Sequence, residues 1–399
     1  MLDRSGLRRT DHGLGTRGPL QKSGASLDAG IRIAVRYGET GFRNRFPRET
    51  SRPQPMATIR DVAKRAGVTK PTVSRVLNDS APVRPETRAR VEAAIHELGY
   101  RPSAVARGLA RGRLHMVAVV VPFVTHPSVV GRVRGMVNAF RESRIPVSIH
   151  DVERGEDLDE HLAALTSYLR PEGVVVISLH PTPSQLERMR AGGIQAVFVD
   201  AEAPGWSSVA IDDLAGGAMA TRHVLDIGHR RIGFIGDPEN NEFGFTSSHL
   251  RRMGYRRALE ASDVAIDGAL ERIGPHGRQT AAALAQELLA LAEPPTAIFA
   301  ASDTQALGVL DAAASRGISV PRDLSVIGFD DIDAAEYAGL TTVRQPLMRS
   351  GLEAALLLEA QMRDPSREPT RVELPLELVP RRSTAPLGAH GPEKQDEHE

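Results

Sequence analysis

The 399-residue chain has no cysteine. That removes disulfide scaffolds, thiolate zinc sites, iron–sulfur clusters and cysteine nucleophiles in one step. No stretch approaches the roughly 18 consecutive apolar residues that a membrane-spanning helix requires. The N-terminus lacks the basic-then-apolar run of a secretory signal, because Ile31-Arg32-Ile33-Ala34-Val35 is short and interrupted by charge. A cytoplasmic protein is the expectation. With 41% apolar and 25% charged residues, the composition is that of a globular chain long enough for two or three domains.

Net charge is absent too, but only as a sum. Residues 1–55 carry 11 Lys and Arg against 5 Asp and Glu, and residues 56–112 carry 11 against 5 again. The remaining residues carry 28 against 40. A basic segment ahead of an acidic body is the footprint of a nucleic-acid-binding head on a domain with a different task.

Catalytic signatures are also missing. There is no Gly-x-Gly-x-x-Gly after a strand, no phosphate-binding Lys loop and no Gly-x-Ser-x-Gly elbow. Asp212-Asp213 and Asp330-Asp331 are carboxylate pairs, but neighbours on a strand point to opposite faces and do not share a cation. The 13 histidines include no His-x-x-x-His pair, and His223 and His229 stand six apart. Surface or capping roles are expected of them. No catalytic residue, metal ligand or cofactor is expected.

Along the chain, residues 1–55 are rich in Gly, Arg and Ser without period, which reads as a disordered leader. Met56 stands directly before the first patterned segment and is the expected natural start. The alternative is a basic arm that adds nonspecific DNA affinity. Residues 56–102 read as a helical head, 103–114 as a hinge helix and linker, 115–385 as a two-lobed body, and 386–399 as a polar tail. In the body, apolar runs at 116–121, 147–149, 174–179, 196–199, 232–235, 296–300 and 324–329 are separated by amphipathic helical stretches. Continuous apolar strands between helices predict doubly covered parallel sheets of βαβ units. Two groups, about 116–210 and 211–343, predict two doubly wound α/β lobes with a ligand cleft between them.

In the head, Thr58-Ile59-Arg60-Asp61 has the capping-box pattern, and the helix it opens carries Val62, Ala63 and Ala66 inward and stops at Gly67. Thr69 is placed to cap a second helix with Pro71 in its first turn. That second helix offers Thr72, Ser74 and Arg75 outward and Val73, Val76 and Leu77 for packing. Short hydroxyls beside an arginine suit base edges and phosphates in a major groove. A third helix over 86–98 closes a three-helix helix-turn-helix unit.

Ile59-Arg60-Asp61-Val62-Ala63, Ala66-Gly67-Val68-Thr69, Thr72-Val73-Ser74-Arg75-Val76-Leu77-Asn78 and Gly99-Tyr100-Arg101-Pro102 follow one another as they do in the LacI/GalR family of bacterial transcriptional regulators, which this chain resembles from Thr58 to about Thr384. The resemblance implies that Lys70 and Pro71 open the recognition helix at positions that vary with operator. It implies that Thr72, Ser74 and Arg75 touch bases or phosphates, that Asn78 and Tyr100 touch the backbone, and that Thr58 and Thr69 also belong to the DNA-binding surface. It also implies that residues 103–110 form a hinge helix that folds on DNA. Ala106 and Arg107 would lie there, with Leu109 wedged into the minor groove; the alternative for Leu109 is an ordinary packing role in a linker helix. Arg84 departs from the family's small hydroxyl residue before the third helix and costs a cap.

The body carries the matching stretches Ile227-Gly228-His229-Arg230-Arg231-Ile232-Gly233-Phe234-Ile235-Gly236, Leu250-Arg251-Arg252-Met253-Gly254-Tyr255, Ala301-Ser302-Asp303-Thr304-Gln305-Ala306-Leu307-Gly308 and Val326-Ile327-Gly328-Phe329-Asp330-Asp331. They resemble the family's periplasmic-binding-protein-like core. The resemblance implies that Arg251 and Asp330 hold an effector in the cleft, with Phe123, Asp200 and Ser302 beside them; alternatively Arg251 and Asp330 pair with each other. Ser302 stands in place of a common Asn. The family's frequent pocket tryptophan is replaced by Gly274-Pro275-His276-Gly277, and Trp206 is no assured substitute. The implied protein is a homodimeric regulator, expected to repress, that binds a near-palindromic operator under control of a small effector, expected to be a sugar or sugar derivative. The competing readings are a solute receptor of a transporter and a doubly wound enzyme with a basic head. The absent signal and the head argue against the first, and the missing catalytic residues against the second.

Overall fold

The computed structural model describes residues 57–78, 81–100, 114–201 and 203–388. The leader, the hinge positions Ala106, Arg107 and Leu109, and residues 389–399 lie outside the described residues.

Helix α1 (Ile59–Ala66) opens on a capping box. The Thr58 hydroxyl accepts from the Asp61 amide, and the Asp61 carboxylate accepts the Thr58 amide at 2.8 Å. The helix ends on Gly67 at φ +64°, a left-handed stop that costs glycine no strain. Helices α2 (Lys70–Asn78) and α3 (Pro85–Glu97) complete the head around Val62, Ala63, Val73, Val76 and Val91. Arg84 precedes α3 without a side-chain cap, as its residue type implied.

Strands β1 (Leu114–Pro122), β2 (Val147–Val152), β3 (Pro171–Ile177), β4 (Ala196–Val199) and β5 (Ser207–Ala210) build the first lobe with helices α4 (Pro127–Glu142), α5 (Asp157–Ala164) and α6 (Pro183–Ala191). The second lobe begins with α7 (Asp213–Asp226). It continues through β6 (Ile232–Gly236), α8 (Ser247–Glu260), β7 (Glu271–Ile273), α9 (Arg278–Leu289), β8 (Ala297–Ala300), α10 (Asp303–Ser315), β9 (Ser325–Asp330), α11 (Asp333–Ala338) and β10 (Thr341–Arg344). All seven apolar runs are strands.

The chain then crosses back. Helix α12 (Leu347–Arg363) packs on the first lobe's sheet, β11 (Arg371–Glu373) joins that sheet beside β5, and β12 (Glu377–Val379) returns to pair with β10. The strand orders are β11-β5-β4-β3-β1-β2 and β12-β10-β9-β8-β6-β7, parallel throughout except β12 against β10. Where the sequence divides the body once, near 210, the lobes are joined by three crossings. The sequence also passes over β5, β7, β10, β11 and β12. Three of these are three-residue strands, and the other two read Ser-Ser-Val-Ala and Thr-Thr-Val-Arg, too short and polar to stand out as apolar runs.

Pleat alternation explains the double covering. Val117, Val119 and Val121 face the core layer shared with α4 and α12, whereas Ala118 and Val120 face the layer shared with α5 and α6. The second lobe is covered likewise by two separate apolar layers.

Candidate DNA-binding and effector-binding sites

In the head, α2 presents Lys70, Pro71 and Arg75 exposed, with Thr72 and Ser74 half-buried. Thr69 stands directly before the helix, and its hydroxyl meets that of Thr72 at 3.0 Å. The Thr58 hydroxyl donates to Asp61 at 2.6 Å, so it serves the α1 cap first. Those bonds to Thr58 hold the Asp61 carboxyl below its ordinary range. Tyr100 packs against the head's core, and its amide closes on the Ile95 carbonyl at 3.0 Å. Asn78 ends α2. An Arg65–Glu97 ion pair ties α1 to α3 on the surface.

In the body, Phe123, Asp200, Arg251, Ser302 and Asp330 all line one cavity of about 570 Å³ between the lobes. The cavity lies at the carboxyl ends of the parallel strands. The residues directly after β1, β3 and β4, and the last residue of β9, are Phe123 (φ +47°), Ser178 (φ +54°), Asp200 (φ +49°) and Asp330 (φ +118°). All four line the cavity. Left-handed backbone at non-glycine residues is held against a cost of about 1–3 kcal/mol each and clusters at ligand sites.

Two close-packed helices place Arg251. A Cβ at Gly217 of α7 would stand 2.1 Å from the Arg251 carbonyl oxygen, and one at Gly254 of α8 would stand 2.1 Å from that of Leu214. Only glycine lets the two backbones approach this closely. Arg251 then donates from Nε to Asp213 Oδ1 at 2.7 Å and from Nη1 to the Ala301 carbonyl at 2.6 Å, while its guanidinium lies 3.7 Å over the Phe329 ring. Its distance to Asp330 Oδ1 is 3.5 Å, so the suspected pair exists but is the looser one. The closer partner of Asp330 is Gln345 Nε2, at 2.5 Å. Gln345 Oε1 in turn accepts from Arg132 Nη2 at 2.8 Å, and Arg132 pairs with Asp200.

One polar chain therefore runs Asp200–Arg132–Gln345–Asp330–Arg251–Asp213, from the first lobe through the β10–α12 crossing into the second. Burial pushes the Asp213 and Asp330 carboxyls up, and the Arg251 guanidinium opposes it.

A second group faces this belt. His276 bonds Asp237 at 3.2 Å, Asp237 also accepts from Gln305 at 2.8 Å, and the rings of His276 and His126 stand 5.3 Å apart. His126 stacks on Phe123 at 4.9 Å. Burial lowers the His276 imidazole, but its bond to Asp237 outweighs this and leaves it above its ordinary value, whereas burial beside His276 lowers His126. Ser302 spends its hydroxyl locally as the cap of α10, accepting from the Gln305 amide at 3.2 Å. Trp206 packs on the first lobe's core beneath Arg190, away from the cavity.

Sequence reasoning misses Arg132, Gln345, Asp237, His126 and His276, and the surface or capping roles it expects of the histidines do not hold for three of them. His126 and His276 line the cavity, and His229 is buried among Thr296, Ser325 and the Ala385 carbonyl. One signal was available: Arg132 interrupts the apolar stripe Val129, Met136, Phe140 of α4. The pair Asp212-Asp213 is split by the start of α7. Asp212 caps the Ala215 amide at 2.8 Å and Asp213 turns inward to Arg251. Among the described residues no group of three His, Asp or Glu side chains is arranged to hold a metal ion.

Residues 58–103 match the family of bacterial regulatory proteins, lacI family, and residues 221–384 match the periplasmic binding protein-like domain. The HTH-type transcriptional regulator DegA of Bacillus subtilis is 33% identical over 339 residues, covering 83% of this chain and 98% of DegA. The chain belongs to the LacI family of bacterial transcriptional regulators. The lac repressor dimer bound to operator and the anti-inducer ONPF shares its fold at a TM-score of 0.71 and 26% identity, covering 82% of this chain and 99% of that one. A transcriptional regulator CelR–cellobiose complex matches at 0.62 and 32% identity, with the same coverage of each chain. As a LacI-family member the protein is a DNA-binding regulator of transcription, and its helix-turn-helix head sets the solute-receptor reading aside.

Proposed function

We propose that this LacI-family protein is an operator-binding repressor, without enzymatic activity of its own, whose DNA affinity is set by a small polyol, a sugar or sugar derivative, held between its lobes. The observation that carries the reading is the convergence of Arg251, Asp330, Asp200 and Gln345 on one cavity with the rings of Phe123 and His126 facing them. Guanidinium and carboxylate groups donate and accept in pairs, as vicinal hydroxyls require, and rings accept the apolar face of a sugar. CelR, solved with cellobiose, supports the ligand class.

On DNA, two copies would set their α2 helices in successive major grooves of a near-palindrome, with Lys70, Pro71, Thr72, Ser74 and Arg75 toward bases and phosphates. Thr58, Thr69, Asn78 and Tyr100 would meet the backbone beside them. The hinge residues Ala106 and Arg107 would contact the minor groove, with Leu109 as the wedge that unstacks a base step. Effector binding would change the lobe angle and thereby the spacing of the heads, a coupling typically worth about 1–3 kcal/mol. Such a regulator works in the bacterial cytoplasm.

The test is selection from random duplex DNA by the purified chain, followed by a sugar panel against the selected operator. One enriched near-palindrome whose binding responds to a sugar, with the response lost in Arg251→Ala, supports the reading. A response that survives Arg251→Ala removes that residue from the pocket, and an operator with no symmetry removes the dimer.

A further inference from the structure

The segment joining β6 to α8, residues 237–246, belongs by chain to the second lobe but is rooted in the first. Phe243 is buried in the apolar layer that holds Val152, Leu158, Leu179 and Phe198 of the first lobe. Its ring meets Phe123 edge-on at 5.0 Å and stacks on Phe245 at 5.0 Å. Beside it, the Gly155 amide of the β2–α5 turn donates to Glu242 Oε2 at 2.8 Å. The fit is tight, since a Cβ on Gly155 would stand 2.5 Å from the Glu242 carbonyl oxygen.

The segment is also stiff. Asn241 accepts from the Phe245 amide at 2.9 Å and donates to the Phe245 carbonyl at 3.0 Å, closing the loop on itself. At its root in the second lobe, the Asp237 amide donates to Ser248 Oγ at 2.8 Å. A stiff loop fixed in both lobes leaves them little freedom to part unless one root is drawn out. The apolar root has no covalent tie to the lobe it enters, so it is the one that yields.

We propose that residues 237–246 are an interlobe clasp, with Phe243 as its plug and Gly155 as its seat, which holds the lobes closed and must be withdrawn before they open. Asn241, Glu242, Phe243 and Phe245 also line the cavity. Given the reading of that cavity as the effector site, a ligand there presses on the clasp directly, so occupancy and lobe angle are read by one segment.

The experiment needs no effector, so its failure is separate from failure of the effector reading. Amide hydrogen exchange and small-angle scattering are recorded on the full-length protein and on the Gly155→Ala, Phe243→Ala and Phe243→Leu variants. Gly155→Ala alters no core side chain, and its backbone φ is not in the left-handed region. The clasp predicts that Gly155→Ala and Phe243→Ala each speed exchange over 237–246 by about tenfold or more and enlarge the radius of gyration, while strands β1, β3 and β4 keep their protection. Phe243→Leu, which keeps an apolar plug, stays near the parent. If Gly155→Ala exchanges and scatters like the parent, the clasp is overturned. It is overturned equally if Phe243→Ala loosens β1, β3 and β4 together with the loop, since Phe243 is then only a core residue.

Discussion

Arg251 and Asp213 meet at 2.7 Å across the crossing of α7 and α8, and the pair is nearly sealed from water. It sits at the end of the polar chain that reaches Asp200 in the other lobe. A guanidinium so placed neutralises Asp213 and approaches Asp330 while offering its remaining edge to the cavity.

Removing Arg251 therefore has two separable effects. Arg251→Ala leaves two buried carboxylates without their counter-charge and should cost about 3–5 kcal/mol in denaturant unfolding. Arg251→Met combined with Asp213→Asn should recover a large part of that loss without restoring any effector response. A loss below about 1 kcal/mol for Arg251→Ala would show that water reaches the pair and that its charges are not interdependent.

Gly217→Ala tests the crossing itself. The added methyl meets the Arg251 carbonyl and can be accommodated only by separating α7 from α8, at a cost of about 1–3 kcal/mol. The displaced helix should carry Arg251 away from Asp213, so effector sensitivity falls along with stability. Retained stability together with retained sensitivity would mean that the helices have slack the structure does not show.

Asp303 gives the fold a pH signature. It is fully buried, its carboxylate accepts from Thr342 Oγ1 at 2.6 Å and the Ile332 amide at 3.0 Å, and burial, then neighbouring Asp330, pushes its carboxyl well up. A raised folded value means that the native state keeps its proton to higher pH than the unfolded chain. The stability that this supplies is complete below the ordinary carboxylate range and is lost as pH rises through the folded value. Relative to Asp303→Asn, the parent should be more stable at pH 4 than at pH 7, as read from unfolding midpoints at both. A difference that does not vary with pH would show that the folded and unfolded chains hold the Asp303 proton equally, so that burial does not raise its carboxyl.

The parts legible in the sequence are those whose cause is local. The Thr58–Asp61 box, the Gly67 stop and the missing cap at Arg84 each involve residues within a turn of one another. The seven apolar strands announce themselves because burial on both faces removes polar alternation. Arg251 and Asp330 were found through resemblance, not through any local pattern. Arg132 and Gln345 escaped because their meaning lies in a contact between residues 213 positions apart, created by the β10–α12 crossing. The return of α12 and β11 to the first lobe escaped for the same reason. The helix covers one face of the first lobe's sheet and β11 takes the edge beside β5, contacts made by residues far away in sequence.

Two exposed residues of α2 separate reading from holding on DNA. Arg75 is exposed in the last turn of α2. If it forks onto a base edge, Arg75→Ala should cost about 1–3 kcal/mol on the selected operator and relax preference at one position of each half-site, with unfolding unchanged. Lys70 opens the helix at a position that the resemblance ties to operator choice. If it meets a phosphate instead of a base edge, Lys70→Ala should weaken specific and random DNA alike and lower the steepness of the salt dependence by about one charge per head. Titrations at several salt concentrations distinguish them. An Arg75→Ala variant that loses affinity evenly across sequences, with a shallower salt slope, would place Arg75 on the backbone and leave sequence reading to Thr72 and Ser74.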